Sequence, residues 1–146
     1  MKTIALRFSN NFAPPEGTIK AHNAVIEKEG YVWYGKLGNK VSSKTQNDVL
    51  ENQNPRILLI HSGAVKRYWA YIDRIQIETP PMKVIPVYYQ NRTKDFSTWF
   101  RVLKFEEAPR DVLSRCFVAS SGTPLSTASR HSMSPYFIID YIDGIE

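Results

Sequence analysis

The segment from Trp33 to Asp73 is the part of this sequence that most constrains the fold. An aromatic run reaches Gly35 and Gly38, a short polar stretch follows, and the chain then enters an apolar run and an aromatic run. Apolar runs of about four to eight residues between turn residues are typical of strands that are buried on both faces. The pattern therefore predicts a fold built around a β-sheet, with short helices as minor elements.

Hydrophobic periodicity along the rest of the chain predicts about six strands and two or three short helices. The residues from Val118 to Met133 are mostly small and polar, and are expected to form a loop. The predicted helices are Gly17–Glu29, which ends at Gly30, then Lys44–Asn52 and a short helix from Pro109 to about Leu113. The predicted strands are drawn from Lys2–Phe8, Tyr31–Tyr34, Arg56–Ser62, Val65–Glu78, Val84–Tyr89, Thr98–Glu106 and Tyr136–Ile142.

Two local patterns make sharper predictions. Ser43 and Gln46 have the spacing of a capping box, in which the two side chains satisfy free backbone amides at the start of a helix. The alternation in the long strand predicts that four side chains share one of its faces, namely Trp69, Tyr71, Ile75 and Ile77.

These elements predict an α+β fold in which a small curved β-barrel of about six strands carries the helices on its outside. A length of 146 residues predicts a single domain that spans residues 1–146. Apolar residues make up 42% of the chain, a proportion typical of globular domains with a packed core.

Composition limits the class of function. The formal charge of +5 favours an anionic partner, and nucleic acid first among these. Cys116 is the only cysteine, so no internal disulfide can form, and no Cys/His spacing predicts a zinc site. No apolar run reaches the ~20 residues of a membrane span, and the apolar patch after Met1 is too short for a signal peptide. We therefore expect a cytoplasmic protein with no membrane association, no metal and no cofactor.

The sequence also lacks the motifs of the common enzyme classes. It contains no HExxH, no Gly-rich phosphate loop and no Gly-x-Ser-x-Gly elbow. Its only histidines are His22, His61 and His131, and Cys116 is expected to be a buried thiol rather than a nucleophile. We therefore expect a binding protein rather than an enzyme.

The order of motifs after Tyr31 resembles the EVE domain family of the PUA-like superfamily, which also includes the YTH and ASCH domains. Trp33 to Lys36 is similar to the family's Trp-x-Gly pattern, and Ile57 to Ser62 is similar to its apolar strand ending in His-Ser. Trp99 to Val102 and Ser129 to Met133 resemble two later family motifs. Together these motifs cover most of residues 31 to 140.

This chain departs from the family pattern in four places, of which the first is its N-terminal strand, which ends in Leu6-Arg7-Phe8-Ser9 rather than in the family's lysine-serine-glutamate pattern. Asn39 is offset by about one residue from its expected position, the turn at residues 52–55 lacks the usual charges, and the insertion from Asn10 to Gly30 is longer than typical. The resemblance therefore implies a divergent subfamily with a PUA-like fold.

The resemblance implies a pocket for a single base, with Trp33 as its first wall. Stacking of a base on an aromatic ring is worth ~1–3 kcal/mol, but a tryptophan beside a glycine could equally fill a core. Tyr88 and Tyr89 are the candidates for a second wall, with Trp69 and Trp99 as alternatives that core packing explains as well. Further candidate contacts, through aromatic faces, hydrogen bonds to base edges or close backbone approach, are Tyr34, Asn39, His61, Ser62 and Gly63.

Basic residues cluster near the predicted pocket and could contact the phosphate backbone of a nucleic acid without reporting its sequence. Each of them could equally be a solvated surface residue. The candidates are Lys36, Lys40, Lys44, Lys66, Arg67, Arg92 and Lys94.

The combined hypothesis is a nucleic-acid-binding reader domain that accommodates a modified base, such as a methylated cytosine or adenine of DNA or RNA, in an aromatic pocket. A partner effector protein could supply any further activity. Two alternatives stay open: an ASCH-like ribonuclease that uses Lys, Tyr and Ser residues of the same cleft, and a protein-binding or small-nucleotide-binding module of a phage or defence locus. The sequence predicts no oligomeric state.

Overall fold

The computed structural model describes residues 1–8, 13–61, 66–132 and 134–142. Within these ranges, four short 3₁₀ turns accompany the regular elements, three of them between Met82 and Asp95 and one at Val112–Arg115. None of the described helices is long and apolar enough to cross a membrane. In chain order the elements are β1 (Lys2–Phe8), α1 (Thr18–Glu29), β2 (Val32–Leu37), α2 (Ser43–Leu50), β3 (Arg56–His61), β4 (Tyr68–Gln76), β5 (Phe96–Glu107), β6 (Cys116–Val118), α3 (Leu125–His131) and β7 (Tyr136–Tyr141).

The seven strands form one mixed sheet in the order β2-β5-β4-β3-β1-β7-β6. β1 and β3 pair in parallel, and all the other neighbouring strands pair antiparallel. The predicted α+β class is confirmed. The predicted barrel is not, because the sheet of the described residues is open, with β2 and β6 as its edge strands.

The open sheet is nevertheless strongly curved. The ammonium nitrogen of Lys36 on edge strand β2 lies 4.3 Å from the ring centroid of Tyr136 on β7, although four strands separate β2 from β7 in the sheet order. The pairing register shifts on both sides of Ile72 in β4 and again between Lys36 and Leu37 in β2. Bulges of this kind bend a strand and increase its twist, which explains how the two ends of the inner sheet face approach each other.

The inner face of the sheet holds the larger core, and helices α1 and α2 pack against it. Side chains alternate along each strand, so only every second residue of β1, β2 and β3 contributes to this core. Its buried members are Ile4, Leu6, Val32, Tyr34, Val41, Val49, Ile57, Leu59, Ala70, Ile72, Ile75, Phe100 and Val102.

The outer face of the sheet carries two smaller clusters. One lies under α3 and includes Leu58, Trp69, Cys116 and Phe137. The other consists of Trp33, Val84, Ile85, Tyr89 and Trp99, so it is formed by the outer faces of β2 and β5 together with the segment that joins β4 to β5. This second cluster anchors that segment beside the end of β2.

Several predicted elements differ from the observed ones. Gly35 lies inside β2 rather than in a turn, and the chain turns at Gly38, where φ is 80°. The predicted strand Val84–Tyr89 is instead a pair of 3₁₀ turns, since Pro86 between them lacks an N–H to donate to a neighbouring strand. The predicted loop from Val118 to Met133 contains α3.

The alternation predicted for the long strand is also wrong in part. Trp69 faces the outer core and Ile75 faces the inner core, whereas the sequence pattern placed both on one face. The shift after Ile72 causes this difference. Ile72 pairs with Val102 and Arg74 with Arg101, so Asp73 is an extra residue in β4 and moves the following side chains to the opposite face.

The start of α2 shows a different cap from the predicted one. Ser42, not Ser43, is the N-cap, and its hydroxyl accepts a hydrogen bond from the backbone N–H of Thr45 at 3.2 Å. The side-chain amide of Gln46 donates to the carbonyl of Val41 at 2.9 Å. The predicted pairing of Ser43 with Gln46 is therefore replaced by two other hydrogen bonds, one accepted by Ser42 and one by Val41.

This cap can be tested by a pair of serine substitutions. Ser42→Ala should lower the free energy of unfolding by about 0.5–2 kcal/mol, because it removes the bond to the free amide of Thr45. Ser43→Ala is the matched control and should change stability far less, since alanine favours the helix interior. Urea denaturation followed by circular dichroism measures both, and an equal loss in the two variants would contradict this assignment of the cap.

Candidate functional site

A pocket of about 330 Å³ opens where β1 and β2 end and α1 begins. This volume falls within the range of about 300–1,000 Å³ that is typical of small-molecule sites. Residues of the segment between β4 and β5 form its remaining wall. We refer to it as the aromatic pocket; its lining residues are Leu6, Arg7, Phe8, Ala13, Thr18, Tyr34, Gly35, Lys36, Leu37, Tyr88, Tyr89, Arg92, Phe96 and Pro135.

Three tyrosines of the aromatic pocket lie close to one another. The ring centroids of Tyr88 and Tyr89 are 4.9 Å apart, and those of Tyr34 and Tyr89 each lie 5.1 Å from that of His22. Burial raises the pKa of all three phenols, most strongly for Tyr34 and Tyr89. They are therefore uncharged at neutral pH and offer hydroxyl groups as donors as well as acceptors.

Phe96 adds a further ring at the start of β5, and Phe8 adds another at the end of β1. The ring centroid of Phe96 lies 4.4 Å from that of Tyr89 and 5.0 Å from that of Trp99. The ring also packs over Gly35 so closely that a Cβ atom at that position would lie 2.6 Å from it. The glycine of the Trp-x-Gly pattern is thus required for close packing across the sheet rather than for a turn.

Lys36 is a nearly buried cation in the pocket wall, with 4% of its surface exposed. Its ammonium group donates to the backbone carbonyls of Leu37 at 2.9 Å and Asn39 at 2.6 Å, and it lies over the ring of Tyr136. Burial lowers the pKa of this lysine below its usual value. The carbonyls hold the ammonium group in place, so its position does not depend on a flexible side chain.

Arg7 provides a second cation, at the end of β1. Its guanidinium donates to the carbonyls of Ser134 at 3.0 Å, Ser132 at 2.7 Å and Ser129 at 2.5 Å. Ser129 lies in the last turn of α3 and Ser132 directly follows it, where helix carbonyls lack partners within the helix. Arg7 therefore caps α3 and is held rigidly beside the aromatic pocket.

His22 of α1 packs behind the tyrosines and does not line the aromatic pocket. Its ring centroid is 5.1 Å from those of both Tyr34 and Tyr89, and Nδ1 lies 2.8 Å from the carbonyl oxygen of Thr18. Complete burial lowers its pKa to about 4, so the imidazole is neutral at physiological pH. We assign it a structural role as support for the pocket tyrosines.

The structure places Trp33 away from the aromatic pocket. The indole is 5% exposed and packs in the outer cluster with Val84, Ile85 and Trp99. Because successive residues of a strand face opposite sides, Tyr34 turns towards the pocket and Trp33 towards the outer core. The wall that the sequence assigned to Trp33 is formed by its neighbour.

The other predicted ligand contacts are divided between the pocket and the core. Tyr88 and Tyr89 line the aromatic pocket, and their role as a wall for a ligand stays a prediction. Trp69 and Trp99 are core residues, at 3% and 0% exposure, and the indole nitrogen of Trp99 meets no hydrogen-bond acceptor among the described residues.

The remaining predicted contacts lie around the pocket. Asn39 is exposed, and its carbonyl oxygen binds the Lys36 ammonium group. His61 contacts the pocket residue Phe8, with ring centroids 5.0 Å apart. Ser62 and Gly63 lie outside the described residues. A direct role in ligand binding stays a prediction for all of these positions.

The predicted backbone-binding cations also occupy different environments. Lys36 and Arg92 line the aromatic pocket, and Arg92 forms an ion pair with Asp95 at 3.2 Å. Lys40 and Lys94 are exposed. The other three lie elsewhere: Lys44 pairs with Asp48 at 3.0 Å, Lys66 with Glu107 at 3.9 Å, and Arg67 is half-buried before β4.

Sequence reasoning missed several lining residues, above all Arg7, Phe8, Thr18 and Phe96. Arg7 and Phe8 end a strand that was predicted correctly, so a search of strand ends near a glycine-rich turn could have found them. Phe96 carries no signal in the sequence, because its place depends on packing over Gly35. Among the described residues, no group of His, Cys, Asp and Glu side chains is suited to hold a metal ion.

Comparison with known proteins adds one finding. A family model described as Pua-like matches residues 4–140 of this chain. This range includes every strand of the described sheet, apart from the first two residues of β1 and the last residue of β7. No curated protein and no solved structure is similar enough to count as a match.

The neutral state of His22 predicts a pH dependence of stability. Its pKa of about 4 in the folded state lies below the unfolded value of 6.5, so its contribution is fully present above pH 6.5 and is lost as the pH falls towards 4. The loss should amount to about 3 kcal/mol in the free energy of unfolding.

Urea denaturation at a series of pH values tests this expectation. His22→Phe should flatten the profile between pH 6.5 and 4, whereas the exposed His131→Gln should leave its slope unchanged. Equal slopes in the wild type and His22→Phe would show that His22 does not titrate as the burial requires.

The close packing of Gly35 predicts a coupled effect with Phe96. Gly35→Ala should destabilise the protein by about 1–3 kcal/mol, because the added methyl group overlaps the phenylalanine ring. In a double-mutant cycle measured by urea denaturation, the same substitution should cost much less in a Phe96→Ala background. Additive losses would contradict the contact.

Proposed function

This chain belongs to the Pua-like family, whose domains generally bind RNA or other nucleic acids, and from that premise we propose that it holds one base of a nucleic acid in the aromatic pocket. The single observation that carries the proposal is the convergence of five aromatic rings around a cavity of about 330 Å³, those of Phe8, Tyr34, Tyr88, Tyr89 and Phe96. The cavity opens where β1 and β2 end, and Tyr34 and Tyr89 join it to the two cores of the sheet.

The chemistry of the pocket suits a flat heterocycle. Stacking of a base on an aromatic ring contributes about 1–3 kcal/mol and tolerates any base, since every base has a π-face. The phenol groups of Tyr34 and Tyr88 and the ammonium group of Lys36 offer donors for polar atoms on a base edge. Stacking would supply affinity, and these donors would orient the base.

The surface around the pocket supports contact with a phosphate backbone. Lys40 follows the turn at the end of β2, and Lys94 follows the pocket residue Arg92 in sequence, and both lysines are exposed. The formal charge of +5 adds a general attraction for a polyanion. Binding through these residues should weaken steeply with added salt.

We further propose that the chain is an EVE-type member of the family and that the base is a modified one. The order of motifs along the sequence supports the EVE assignment. Methylation would add apolar area that aromatic walls can cover, at roughly 25 cal/mol for each Å² removed from water. Methylated cytosine and methylated adenine, in DNA or RNA, are the candidate bases.

A partner protein would supply any catalytic step in this proposal, and the domain itself would bind without cleaving. The ASCH-like ribonuclease is the competing hypothesis. The described lining residues include neither a histidine nor a carboxylate, the side chains that most often act as general bases. Recovery of intact labelled RNA after incubation without metal is the outcome that we expect.

Binding of modified and plain oligonucleotides tests the proposed function. Tyr88→Ala should weaken binding of the preferred oligonucleotide by about 1–3 kcal/mol, measured by fluorescence anisotropy, because a half-buried wall of the pocket is lost. Tyr71→Ala is the matched control, since Tyr71 is a half-buried tyrosine outside the pocket whose hydroxyl bonds to Glu106. Folding of both variants is checked by circular dichroism.

The outcomes separate the hypotheses. Loss of affinity in Tyr88→Ala alone supports base binding in the aromatic pocket. If both variants lose affinity equally, or if neither substitution changes the affinity, the nucleic acid binds outside the aromatic pocket. Cleavage of the labelled RNA by the purified protein would replace a pure binding role with the ribonuclease.

A further inference from the structure

We propose that the aromatic pocket selects uncharged or anionic heterocycles with hydrogen-bond acceptors on their edge and rejects positively charged bases. This inference rests on the proposed function, because it concerns the ligand class of the same site. It goes beyond that function by assigning specificity to charge, and by naming Lys36 and Arg7 as the residues that determine it.

Aromatic rings alone would favour the opposite ligand. A cluster of rings attracts cations through the negative potential of its π-faces, and methylated ammonium groups are common occupants of such clusters. Tyr34, Tyr88, Tyr89 and Phe96 would by themselves be compatible with a cation. The charge of the remaining wall therefore decides which class of ligand the pocket accepts.

That remaining wall is positive. Lys36 and Arg7 both line the pocket, and their polar contacts are backbone carbonyls: Leu37 and Asn39 for the lysine, and three carbonyls at the end of α3 for the arginine. Carbonyl groups orient a cation without neutralising it. Both charges therefore remain in full beside any bound ligand.

Among the described lining residues, no acidic side chain offsets the charges of Lys36 and Arg7. No carboxylate is among the lining residues that the structure describes, and the acid closest in sequence, Asp95, pairs with Arg92. Outside the described residues, the segments 9–12 and 62–65 contain no Asp or Glu, and the acids are Asp143 and Glu146. A cationic base would thus meet two like charges in a partly desolvated site, where their repulsion is stronger than in water.

The same wall favours acceptors. An ammonium group has three protons: two of those of Lys36 bond to carbonyls, and the third is shared between a ligand and the face of the Tyr136 ring, whose centroid lies 4.3 Å from the nitrogen. Burial keeps the tyrosines protonated, so they can donate as well. Carbonyl oxygens and unprotonated ring nitrogens are the base atoms that match such donors.

Pairs of methylated bases test this selectivity, because the members of a pair have the same heavy atoms and differ in the position of the methyl group and, at neutral pH, in one proton and its charge. N6-methyladenine and 5-methylcytosine are neutral, whereas 1-methyladenine and 3-methylcytosine carry a positive charge at neutral pH. Each is placed at the centre of the same short single-stranded oligonucleotide, and affinities are measured by fluorescence anisotropy at fixed salt. We expect the cationic isomer of the better-bound pair to bind about tenfold or more weakly than its neutral partner.

A lysine substitution assigns the effect to the pocket wall. Lys36→Met keeps most of the length of the side chain and removes its charge, so it should reduce the difference between the isomers severalfold. Lys28→Met removes an equal charge from the exposed last turn of α1, outside the pocket, and should leave the difference unchanged. If Lys36→Met fails to fold, the wild-type comparison still decides the matter, and Arg7→Met serves as the second variant.

The outcomes distinguish this inference from the proposed function. Equal or tighter binding of the cationic isomers, with Tyr88→Ala still weakening the affinity, would overturn the charge selectivity and leave base binding standing. A preference for neutral isomers that Lys36→Met does not reduce would overturn the role of Lys36. Binding that is insensitive both to the base and to Tyr88→Ala would overturn the proposed function and this inference with it.

Discussion

The curvature of the seven-stranded sheet is the constraint on which the other features of this structure depend. Register shifts on both sides of Ile72 and after Lys36 bend the strands, and the bend brings edge strand β2 within contact of β7. In a flat sheet, β2 and β7 would be five strand spacings apart, at roughly 4.8 Å for each spacing. The pocket between the ends of β1 and β2 exists because the sheet folds back on itself.

The walls of the pocket use this curvature in two ways. The segment between β4 and β5 folds over the outer face of β2, where Trp33 and Trp99 hold it, and it places Tyr88 and Tyr89 beside Tyr34. On the other side, the loop before β7 supplies a carbonyl that fixes Arg7. Aromatic rings and cations therefore line one cavity from parts of the chain that are distant in sequence. Backbone carbonyls orient the two cations, and none of these partners carries a negative charge.

Local patterns predicted much of the fold correctly. β1, α1 with its stop at Gly30, β3 and β7 lie within a few residues of their expected positions, because their periodicity and turn residues act over short distances. The errors have equally physical causes. Pro86 interrupts an apolar run that otherwise resembles a strand. The register shifts in β4 depend on its pairing with β5, so the sequence of β4 alone does not predict them.

The amino-acid sequence by itself determined the α+β class, the strand-rich organisation, the excess of positive charge and the presence of tyrosines beside a basic loop. Only the tertiary structure decided which aromatic residues meet a cavity. Trp33 and Tyr34 are adjacent and both suit a binding wall, yet the pairing of β2 with β5 turns the indole to the outer core and the phenol to the pocket. A strand exposes alternate side chains to opposite faces, and which of those faces closes around a cavity depends on contacts with strands far away in the chain.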